Sequence, residues 1–394
     1  MTPPDPATPE RAIGGAADLA VVGAGIVGAA IAFGALTDRP GSRILVLDQG
    51  AGNTATHGSL GVLAPWAATP GQRALLERGT ARFHHPRLLA LLRPHLRRVP
   101  VLVAAGAPTL ERLARSTVGT TMGPASPRTV RAARDACGGD LLLRPGDGLA
   151  TVHGGIAVLD TAAAAAALVG AVVDAGGHLR TGARVTRIDT ARPCGQRLRL
   201  RLRLSDGSTV TARRTALATG PWPGPTIGSG AARRTGEGAG AGTRIDRSGE
   251  APWRTKRMAA LRIDRELPAD APMVCFPDDD LFLLPTPADS GGAASSGGAW
   301  VSFRSEQWDV APDGGPDAFG PDTLDEGCRV LGGRLPRLVA AARAGRAGVD
   351  GYTPDRTPLT DLPAPGVARA SAASGAGARL CWGMADRVLE LLAP

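Results

Sequence analysis

The tightest restriction on the fold of this chain comes from a short glycine-rich segment near its start, residues 23–28 (GAGIVG). The segment follows an apolar stretch, residues 18–22, that predicts a buried strand, and it opens an apolar helix predicted over residues 26–36. A second predicted strand, residues 43–48, ends in an aspartate. Strand, glycine turn, helix and strand in this order predict a β-α-β unit within an α/β fold.

Each glycine of this turn has its own role in the Rossmann-type nucleotide-binding unit that the pattern predicts. Gly23 permits the tight turn, Gly25 lets the backbone approach a pyrophosphate, and Gly28 lets the helix pack on the strand. The amino terminus of the helix then supplies free N–H groups to the phosphates. Asp48, at the end of the second strand, is placed to accept hydrogen bonds from ribose hydroxyls. The sequence therefore predicts a dinucleotide cofactor, and this turn alone does not distinguish NAD from FAD.

The composition is that of a globular protein, with 43% hydrophobic and 21% charged residues among 394. A chain of this length can form two fused domains. Its formal net charge of +9 does not indicate a nucleic-acid partner, because the arginines of residues 197–203 alternate with leucine, as on a half-buried strand with a solvated basic face. No aromatic residues stand among them to stack on bases, so we expect no nucleic-acid binding.

Cysteine usage and the first residues bear on the location of the protein. Its five cysteines are far apart and show no CxxC spacing, which argues against a disulfide framework and against a zinc site. Residues 1–12 carry proline and charge where a signal peptide needs an apolar core. No uninterrupted apolar stretch is long enough to span a bilayer. We therefore expect a cytoplasmic protein without a metal and without membrane contact.

The rest of the chain is predicted to be a mixture of helices and short strands. Leucine at helical spacing, interrupted by prolines, predicts helices over residues 73–113. An alanine run predicts a helix over residues 162–176. The segments 224–251 and 289–298 are low in complexity and predict flexible surface loops. Further predicted strands are 184–188, 197–204, 210–219, 257–263, 280–285 and 299–304, and further predicted helices are 322–331, 335–344 and 383–392.

Several segments, in chain order, resemble the D-amino-acid oxidase, glycine oxidase and sarcosine oxidase superfamily of FAD-dependent oxidoreductases. Residues 52–65 (GNTATHGSLGVLAP) are similar to the stretch of that family that follows the ribose acid and wraps the flavin. Residues 218–222 (ATGPW) are similar to its Ala-Thr-Gly-Ala-Trp signature, and residues 348–359 (GVDGYTPDRTPL) match its pattern around Thr-Pro-Asp. Further similar segments are 155–168, 182–188, 374–377 and 383–385.

The resemblance implies an α/β (α+β) fold with a FAD-binding Rossmann-like domain of the glutathione-reductase type and a second domain, built on a mixed β-sheet, that binds substrate. The implied ranges are 15–80, 146–223 and 340–394 for the discontinuous FAD-binding domain, 81–145 and 252–339 for the substrate-binding domain, 224–251 for a flexible loop and 1–14 for a disordered tail.

The resemblance also implies which residues bind FAD. They are Gly23, Gly25, Ile26, Val27, Gly28, Asp48, Gln49, Thr56, His57, Gly58, Gly61, Val62, Leu63, Val185, Ala218, Thr219, Gly220, Trp222, Asp355, Gly375 and Gly377. We expect noncovalent FAD, because relatives that attach the flavin through histidine carry it just after the position of His57, and relatives that use cysteine carry it where this chain has Gly348. Three roles stay open for His57: covalent attachment, a noncovalent role in the pocket, or a histidine at a helix start that the backbone satisfies.

The implied reaction is hydride transfer from a primary or secondary amine to flavin N5, after which the imine hydrolyses in water. The expected partners are a small-molecule amine or amino-acid substrate and O2 or another electron acceptor, and the expected assembly is a monomer or homodimer. Two alternatives stay open. One is a dehydrogenating enzyme that acts on a larger secondary-metabolite amine, and the other is a degenerate nucleotide-binding module without a redox step.

The candidate catalytic residues are His57, Asp350, Tyr352, Arg304 and Lys256. Several amino-acid oxidases of the family carry an arginine at the position of Asp350, and that arginine binds the substrate carboxylate. An aspartate there suits a cationic amine instead. Tyr352 and Arg304 are alternative substrate contacts, each also compatible with a structural role. Lys256 is either a cation near the flavin that stabilises developing negative charge or a solvated surface lysine.

Overall fold

The computed structural model describes residues 16–52, 54–191, 199–229, 252–268, 270–286, 297–313 and 319–393. Within these ranges the strands are β1 (Leu19–Val22), β2 (Ile44–Leu47), β3 (Val62–Leu63), β4 (Leu96–Val99), β5 (Val101–Gly106), β6 (Met122–Pro124), β7 (Asp147–Val152), β8 (Ile156–Leu159), β9 (His178–Arg180), β10 (Val185–Ala191), β11 (Arg199–Leu204), β12 (Thr209–Ala212), β13 (Thr215–Gly220), β14 (Thr226–Ser229), β15 (Arg254–Ile263), β16 (Met273–Phe276), β17 (Leu281–Thr286), β18 (Gly298–Phe303), β19 (Ala342–Tyr352), β20 (Leu359–Ala364) and β21 (Val367–Ser371).

The helices of the described ranges are α1 (Ile26–Asp38), α2 (Ala55–Gly58), α3 (Pro70–Phe83), α4 (Pro86–Leu92), α5 (Ala107–Ser116), α6 (Pro127–Ala136), α7 (Thr161–Asp174), α8 (Pro321–Gly332) and α9 (Gly377–Leu391). Short 3-10 turns occur at Arg93–His95, Pro277–Asp279 and Pro336–Ala341. The predicted tail 1–14, most of the predicted loops 224–251 and 289–298, and Cys194 lie outside the described residues.

The amino-terminal glycine turn follows an inner strand of a six-stranded sheet, whose order is β20-β21-β13-β1-β2-β9. β1 runs parallel to β13 on one side and to β2 on the other, and all four of its residues are buried. Inner parallel strands are covered on both faces, which is why β1 and β2 are continuous apolar runs and do not alternate with polar residues. The predicted β-α-β unit and the predicted α/β class are confirmed.

Alternate residues of β1 point to opposite faces of this sheet. Leu19 and Val21 face a core that is completed by side chains of α1, α3, α4, α7 and α9. Ala20 and Val22 face a second core, shared with a four-stranded sheet of order β12-β11-β10-β14. The six-stranded sheet is therefore the middle layer between helices and a smaller sheet, which is the layered architecture that the family resemblance implies.

The strand β11 carries the alternating arginines and leucines noted in the sequence. Its leucines are buried, with 0% exposure at Leu200 and Leu202, and its arginines are exposed. The predicted half-buried strand with a solvated basic face is confirmed.

A second large sheet has eight strands in the order β19-β15-β18-β17-β16-β5-β7-β6. Its longest pair is antiparallel, β15 with β19. Side chains from one face of the sheet, such as Leu261 and Phe276, form a core with α6, α8 and the turn at Pro336–Ala341. A smaller sheet has three strands in the order β3-β8-β4.

Parts of four predicted elements are wrong. The predicted strand 210–219 is two strands, β12 and β13, which belong to different sheets. Residues 96–106, expected to be helical, form β4 and β5, because the apolar run after Pro100 is buried between β16 and β7 and this pairing outweighs the leucine spacing. The predicted helix 335–344 is a 3-10 turn followed by the start of β19. The predicted loop 224–251 begins with β14, since Thr226–Ser229 pair with β10.

Sheet membership differs from the implied domain boundaries at three places. β7 and β19 fall in ranges assigned to the FAD-binding domain, but both belong to the eight-stranded sheet. α4 falls in a range assigned to the substrate-binding domain, but its Leu88 and Leu92 lie in the core that contains α1. Among the described residues the chain passes between the two large sheets four times, as the implied ranges do, but at shifted positions.

In the described part of the chain, no helix combines the length and the apolar character needed to cross a bilayer. Among the same residues, no group of three His, Cys, Asp or Glu side chains is arranged to hold a metal ion.

Candidate active site

A cavity of about 570 Å³ runs from the glycine turn to one face of the eight-stranded sheet. It begins beside the carboxyl ends of β1 and β2, the position where open α/β sheets bind their ligands. It then passes α2 and the turn before α9 and reaches β15 and β19. Every residue predicted to contact FAD or substrate lines this cavity, except Gly28, His57, Leu63 and Asp355.

Two glycines of the amino-terminal turn stand too close to other backbone for any side chain. At Gly23, φ is +103° and a Cβ would lie 2.3 Å from the carbonyl oxygen of Ala218. A Cβ on Gly28 would lie 1.9 Å from the carbonyl oxygen of Gly23. Gly28 thus seats α1 against the turn from behind the cavity, the packing role that the sequence predicts.

The amino terminus of α1 opens on the cavity. Gly25, its N-cap residue, has no side chain to cap the helix, and a Cβ there would lie 2.9 Å from Thr56 Oγ1. Ile26 N donates a hydrogen bond to that hydroxyl at 3.0 Å. The cavity therefore meets bare backbone at the positive end of a 13-residue helix, which suits an anionic group such as a pyrophosphate.

Asp48 is fixed at the end of β2 by two backbone groups. Its Oδ2 accepts a hydrogen bond from Ala24 N and its Oδ1 accepts one from Gly50 N, both at 2.7 Å. A carboxylate has further acceptor positions on each oxygen. Because Asp48 also lines the cavity, it is able to accept hydrogen bonds from ribose hydroxyls without moving.

The helix α2 presents the predicted flavin-wrapping stretch, but His57 points away from the cavity. Thr54 caps the helix: its Oγ1 accepts a hydrogen bond from His57 N at 3.3 Å and lies 2.7 Å from His57 Nδ1. His57 is exposed and does not line the cavity. This geometry matches the third role considered for His57, that of a histidine at a helix start with its hydrogen bonds satisfied locally.

Asp350 is buried and ties β19 to the glycine turn that precedes α9. Its Oδ2 accepts a hydrogen bond from Gly375 N at 2.7 Å, and its Oδ1 accepts one from Gly351 N at 2.8 Å. Burial raises the pKa of Asp350, and these two donors oppose the rise. Both carboxylate oxygens are therefore used in shaping the turn, which leaves less capacity for a substrate amine than the sequence suggested.

Lys256 is a buried residue of the cavity wall, and the alternative of a solvated surface lysine is wrong. Its exposed fraction is 6%. Its ammonium nitrogen lies 5.0 Å from the ring centroid of Trp308 and 5.7 Å from that of Tyr352. Burial lowers the pKa of Lys256, whereas the aromatic faces favour its charged form.

Tyr352 and Arg304 also lie on this wall. The hydroxyl of Tyr352 donates a hydrogen bond to Met258 Sδ at 2.9 Å, and its ring stands edge-on to Trp308 at 5.5 Å. Burial raises the pKa of Tyr352, so its phenol is neutral at physiological pH. Arg304 is exposed and pairs with Glu306 at 2.7 Å.

The other two predicted residues outside the cavity, Asp355 and Leu63, also have structural roles. Asp355 Oδ1 accepts a hydrogen bond from Thr357 N at 3.0 Å and closes the turn around Thr-Pro-Asp. Leu63 packs against the core that contains α1.

Several residues of the cavity wall escaped the sequence-based prediction. Gln72, which is 1% exposed, joins three distant segments: its Nε2 donates to the carbonyl of Arg356 at 2.6 Å, and its Oε1 accepts from Arg379 at 3.1 Å. These three converge only because α3 packs on α9, so no local pattern reveals them. The sequence did contain a signal for Asp280, because this residue ends a run of three aspartates in the turn before β17.

Taken together, the residues present fit FAD. The glycine turn has no room for a side chain at Gly23, where a Cβ would meet the carbonyl of Ala218, and both Gly23 and Gly25 present bare backbone to the cavity. Asp48 supplies the acceptor for a ribose, and the cavity continues from there past α2 toward the eight-stranded sheet.

Comparisons with known proteins agree with this geometry. The family model described as "FAD dependent oxidoreductase" matches residues 18–391. No curated protein sequence matches the chain.

Solved structures share its fold at low sequence identity. An iminodiacetate oxidase from Chelativorans sp. BNC1 is 17% identical, with 95% of both chains covered and a TM-score of 0.65. An L-proline dehydrogenase from P. horikoshii is 15% identical, with 96% of this chain and 93% of that chain covered and a TM-score of 0.70. A glycine oxidase from Geobacillus kaustophilus is 17% identical, with 95% and 94% covered and a TM-score of 0.64.

The family match includes both the glycine turn at the amino terminus and the helix α9 that closes the fold. The protein is thus an FAD-dependent enzyme, and its chain belongs to the FAD dependent oxidoreductase family.

Proposed function

We propose that this enzyme oxidises the carbon–nitrogen bond of a small amine or amino acid, giving an imine that hydrolyses in water. The observation that carries this proposal is that a single cavity joins the predicted FAD site to a charged pocket on the eight-stranded sheet. Support comes also from the names of structures with a similar fold, an iminodiacetate oxidase, an L-proline dehydrogenase and a glycine oxidase.

Bound FAD supplies the hydride acceptor for this reaction. Gly25 and Val27 at the start of α1, both in the cavity lining, would hold its pyrophosphate, and Asp48 its ribose. Because His57 lies outside the cavity and residue 348 is glycine, we propose that the FAD is held noncovalently. The electron acceptor that completes the cycle is O2 or another oxidant.

The pocket favours a polar, charged substrate over an apolar amine. Lys256, Asp280, Arg356 and Arg379 all line it. Burial lowers the pKa of Arg379 to about 10, so this guanidinium still carries its charge at neutral pH. Charged groups that are withdrawn from water cost free energy unless a partner satisfies them, and a charged substrate supplies such partners.

The proposal is tested by anaerobic reduction. The purified holoenzyme should show flavin absorbance that bleaches when the right member of a panel of amines and amino acids is added. Reoxidation by O2, or by an artificial acceptor in its place, then identifies the class of oxidant. A holoenzyme that stays oxidised with every member of a broad amine and amino-acid panel contradicts the proposal.

A further inference from the structure

The turn between β16 and β17 contains three consecutive aspartates that differ in their partners. Asp278 accepts a hydrogen bond from Gly106 N at 2.9 Å. Asp279 pairs with the guanidinium of Arg334 at 2.8 Å. Asp280 lines the cavity, and within the described residues its carboxylate has no hydrogen bond and no ion pair. Two of the aspartates therefore fasten the turn, and the third presents a free carboxylate to the cavity.

The position of that carboxylate is fixed by the fold. Arg334 is 1% exposed and also pairs with Asp147 at 2.6 Å, so it joins the turn to β7 in the interior of the protein. Asp280 itself has φ +50°, a left-handed conformation that residues other than glycine adopt rarely and that often marks functional sites. Asp280 is thus held facing the cavity by anchored neighbours on its own turn.

Lys256 supplies the opposite charge in the same cavity. It is more than nine-tenths buried, and in the part of the chain that the structure describes its ammonium has no hydrogen bond and no ion pair. The charge of Asp280 opposes the lowering of the pKa of Lys256 by burial, so the two groups interact electrostatically. No nitrogen–oxygen distance between them falls within 4.0 Å, however. Two opposite charges therefore share one cavity without pairing.

Other charged groups line the same cavity, and two of them have a partner. Arg304 pairs with Glu306 at 2.7 Å, and Arg379 donates a hydrogen bond to Gln72 at 3.1 Å. The exposed guanidinium of Arg356 has no hydrogen bond or ion pair among the described residues, and Arg379 Nε is buried without a partner. Asp280 is therefore the unpaired carboxylate of the described lining, and Lys256 is the unpaired ammonium that shares the cavity with it.

We propose that Asp280 and Lys256 are specificity-determining residues that together select a zwitterionic substrate, with its cationic nitrogen at Asp280 and its anionic group at Lys256. This inference rests on the proposed function in taking the cavity as the substrate site. A zwitterion gives both fixed charges a partner, whereas a simple amine leaves Lys256 unpaired and a simple carboxylate leaves Asp280 unpaired. Because Asp280 is solvent-exposed, the proton that the nitrogen loses before oxidation passes to water.

The first experiment measures binding of three probes of similar shape to the oxidised holoenzyme under anaerobic conditions. The probes are N-methylglycine, which is zwitterionic, butyrate, which is only anionic, and N-methylisobutylamine, which is only cationic. Flavin difference absorbance reports binding, and any bleaching is recorded separately. N-methylglycine should bind about tenfold or more tightly than either other probe, because each charged contact contributes at least that factor. Equal affinities, or no binding of N-methylglycine, overturn the proposal.

Single variants then assign each charge to its residue. Asp280→Asn should weaken N-methylglycine and N-methylisobutylamine about tenfold or more and leave butyrate unchanged. Lys256→Met should weaken N-methylglycine and butyrate and leave N-methylisobutylamine unchanged, and Lys256→Arg should restore part of the loss. A variant that weakens all three probes equally indicates a structural role and contradicts the assignment.

Each variant has a matched control on the same element or in the same region. Arg254 is a cation 5.0 Å from the same Trp308 ring, but it pairs with Asp309 at 2.6 Å and does not line the cavity. Arg254→Gln should leave the affinities of all three probes unchanged. Asp270→Asn removes an exposed carboxylate at the other end of β16, 3.8 Å from Arg128 and outside the cavity lining, and should also leave them unchanged.

A second readout does not depend on the flavin. Lys256 is the single lysine of the chain, so reductive methylation with ¹³C-formaldehyde labels its ε-amine and the terminal amine alone. The NMR signal of Lys256 should shift on addition of N-methylglycine or butyrate and stay in place with N-methylisobutylamine. If the binding pattern holds but no amine ever bleaches the flavin, the proposed oxidation is wrong and this inference stands. Bleaching without charge selectivity supports the proposed oxidation and overturns this inference.

Discussion

Gly23 and Gly41 both adopt a positive φ, +103° and +84°, but only Gly23 stands against another backbone segment. Comparing the two glycines therefore distinguishes the effect of close backbone contact in the nucleotide turn from the effect of a positive φ alone. Gly23→Ala should lower the free energy of unfolding by about 3 kcal/mol or more, from strain and overpacking together. It should also abolish retention of FAD through gel filtration. Gly41→Ala, with nothing within 4 Å of its Cβ, should cost about 1–2 kcal/mol and keep FAD. Equal effects of the two changes would contradict the close approach at Gly23.

The buried carboxylate of Asp350 should make stability fall as the pH rises. Burial raises its pKa in the folded state above the unfolded value of about 3.9. The folded protein therefore holds this proton more tightly, and the stabilisation present below about pH 4 is lost as the pH rises through the folded pKa. Asp350→Asn removes the titration. Chemical denaturation from acid to neutral pH should show the difference in unfolding free energy moving in favour of the variant as the pH rises. A difference that does not change with pH would refute this.

Single residues of the site were predictable where they lie close together in the sequence, because local spacing then fixes their relative positions. Gly23, Gly25 and Asp48 occupy one contiguous β-α-β unit, so their spacing already placed them around a phosphate group. Gln72 and Arg379 were not predictable, because hydrogen bonding between them requires that α3 and α9 pack together in the folded protein. Lys256 was assigned two roles, and only its burial decided between them.

At the scale of elements, one buried arginine joins two parts of the eight-stranded sheet. Arg334 pairs with Asp147 on β7 and with Asp279 on the turn before β17. Arg334→Met would leave Asp147, whose side chain is 5% exposed, as a buried charge without its partner. We expect the free energy of unfolding to fall by about 3–5 kcal/mol, the usual cost of breaking a buried pair from one side.

The matched control for that change is Arg337→Met. Arg337 is exposed and pairs with Asp140 at 2.5 Å, so its loss should leave the denaturation midpoint nearly unchanged because surface pairs contribute little. If both variants shift the midpoint equally, the interior link through Arg334 has no special role.

The elements that sequence reasoning placed correctly are those with strong local patterns. β1, α1 and β2 begin and end within two residues of their predicted bounds, because buried parallel strands and a buried helix require continuous apolar runs. The start of β19 (ARAGRAG) has low β-propensity, and its first three residues, 342–344, were assigned to the predicted helix 335–344. This segment is part of a strand because nine residues of β19 as a whole pair with β15, a contact between segments that lie far apart in the chain.

At the scale of the whole molecule, FAD should stabilise the entire fold and leave the chain unmodified. A ligand that binds the folded state raises its stability by RT ln(1 + [L]/Kd), about 2.7 kcal/mol at one hundred times Kd. Added FAD should therefore raise the Tm of stripped protein in a concentration-dependent way. Mass spectrometry should show FAD in the native protein and the bare mass of the chain after denaturation. A denatured chain that keeps the mass of FAD would contradict noncovalent binding.

The helix α9 has a further consequence for biosynthesis. Its Leu380 and Met384 are buried in the same core as Ile31 of α1, and β21 pairs with β13 beside β1. On the ribosome, the first β-α-β unit emerges hundreds of residues before these partners are translated. The nascent amino-terminal unit therefore exposes apolar surface until α9 leaves the exit tunnel, and flavin loading has to follow that moment.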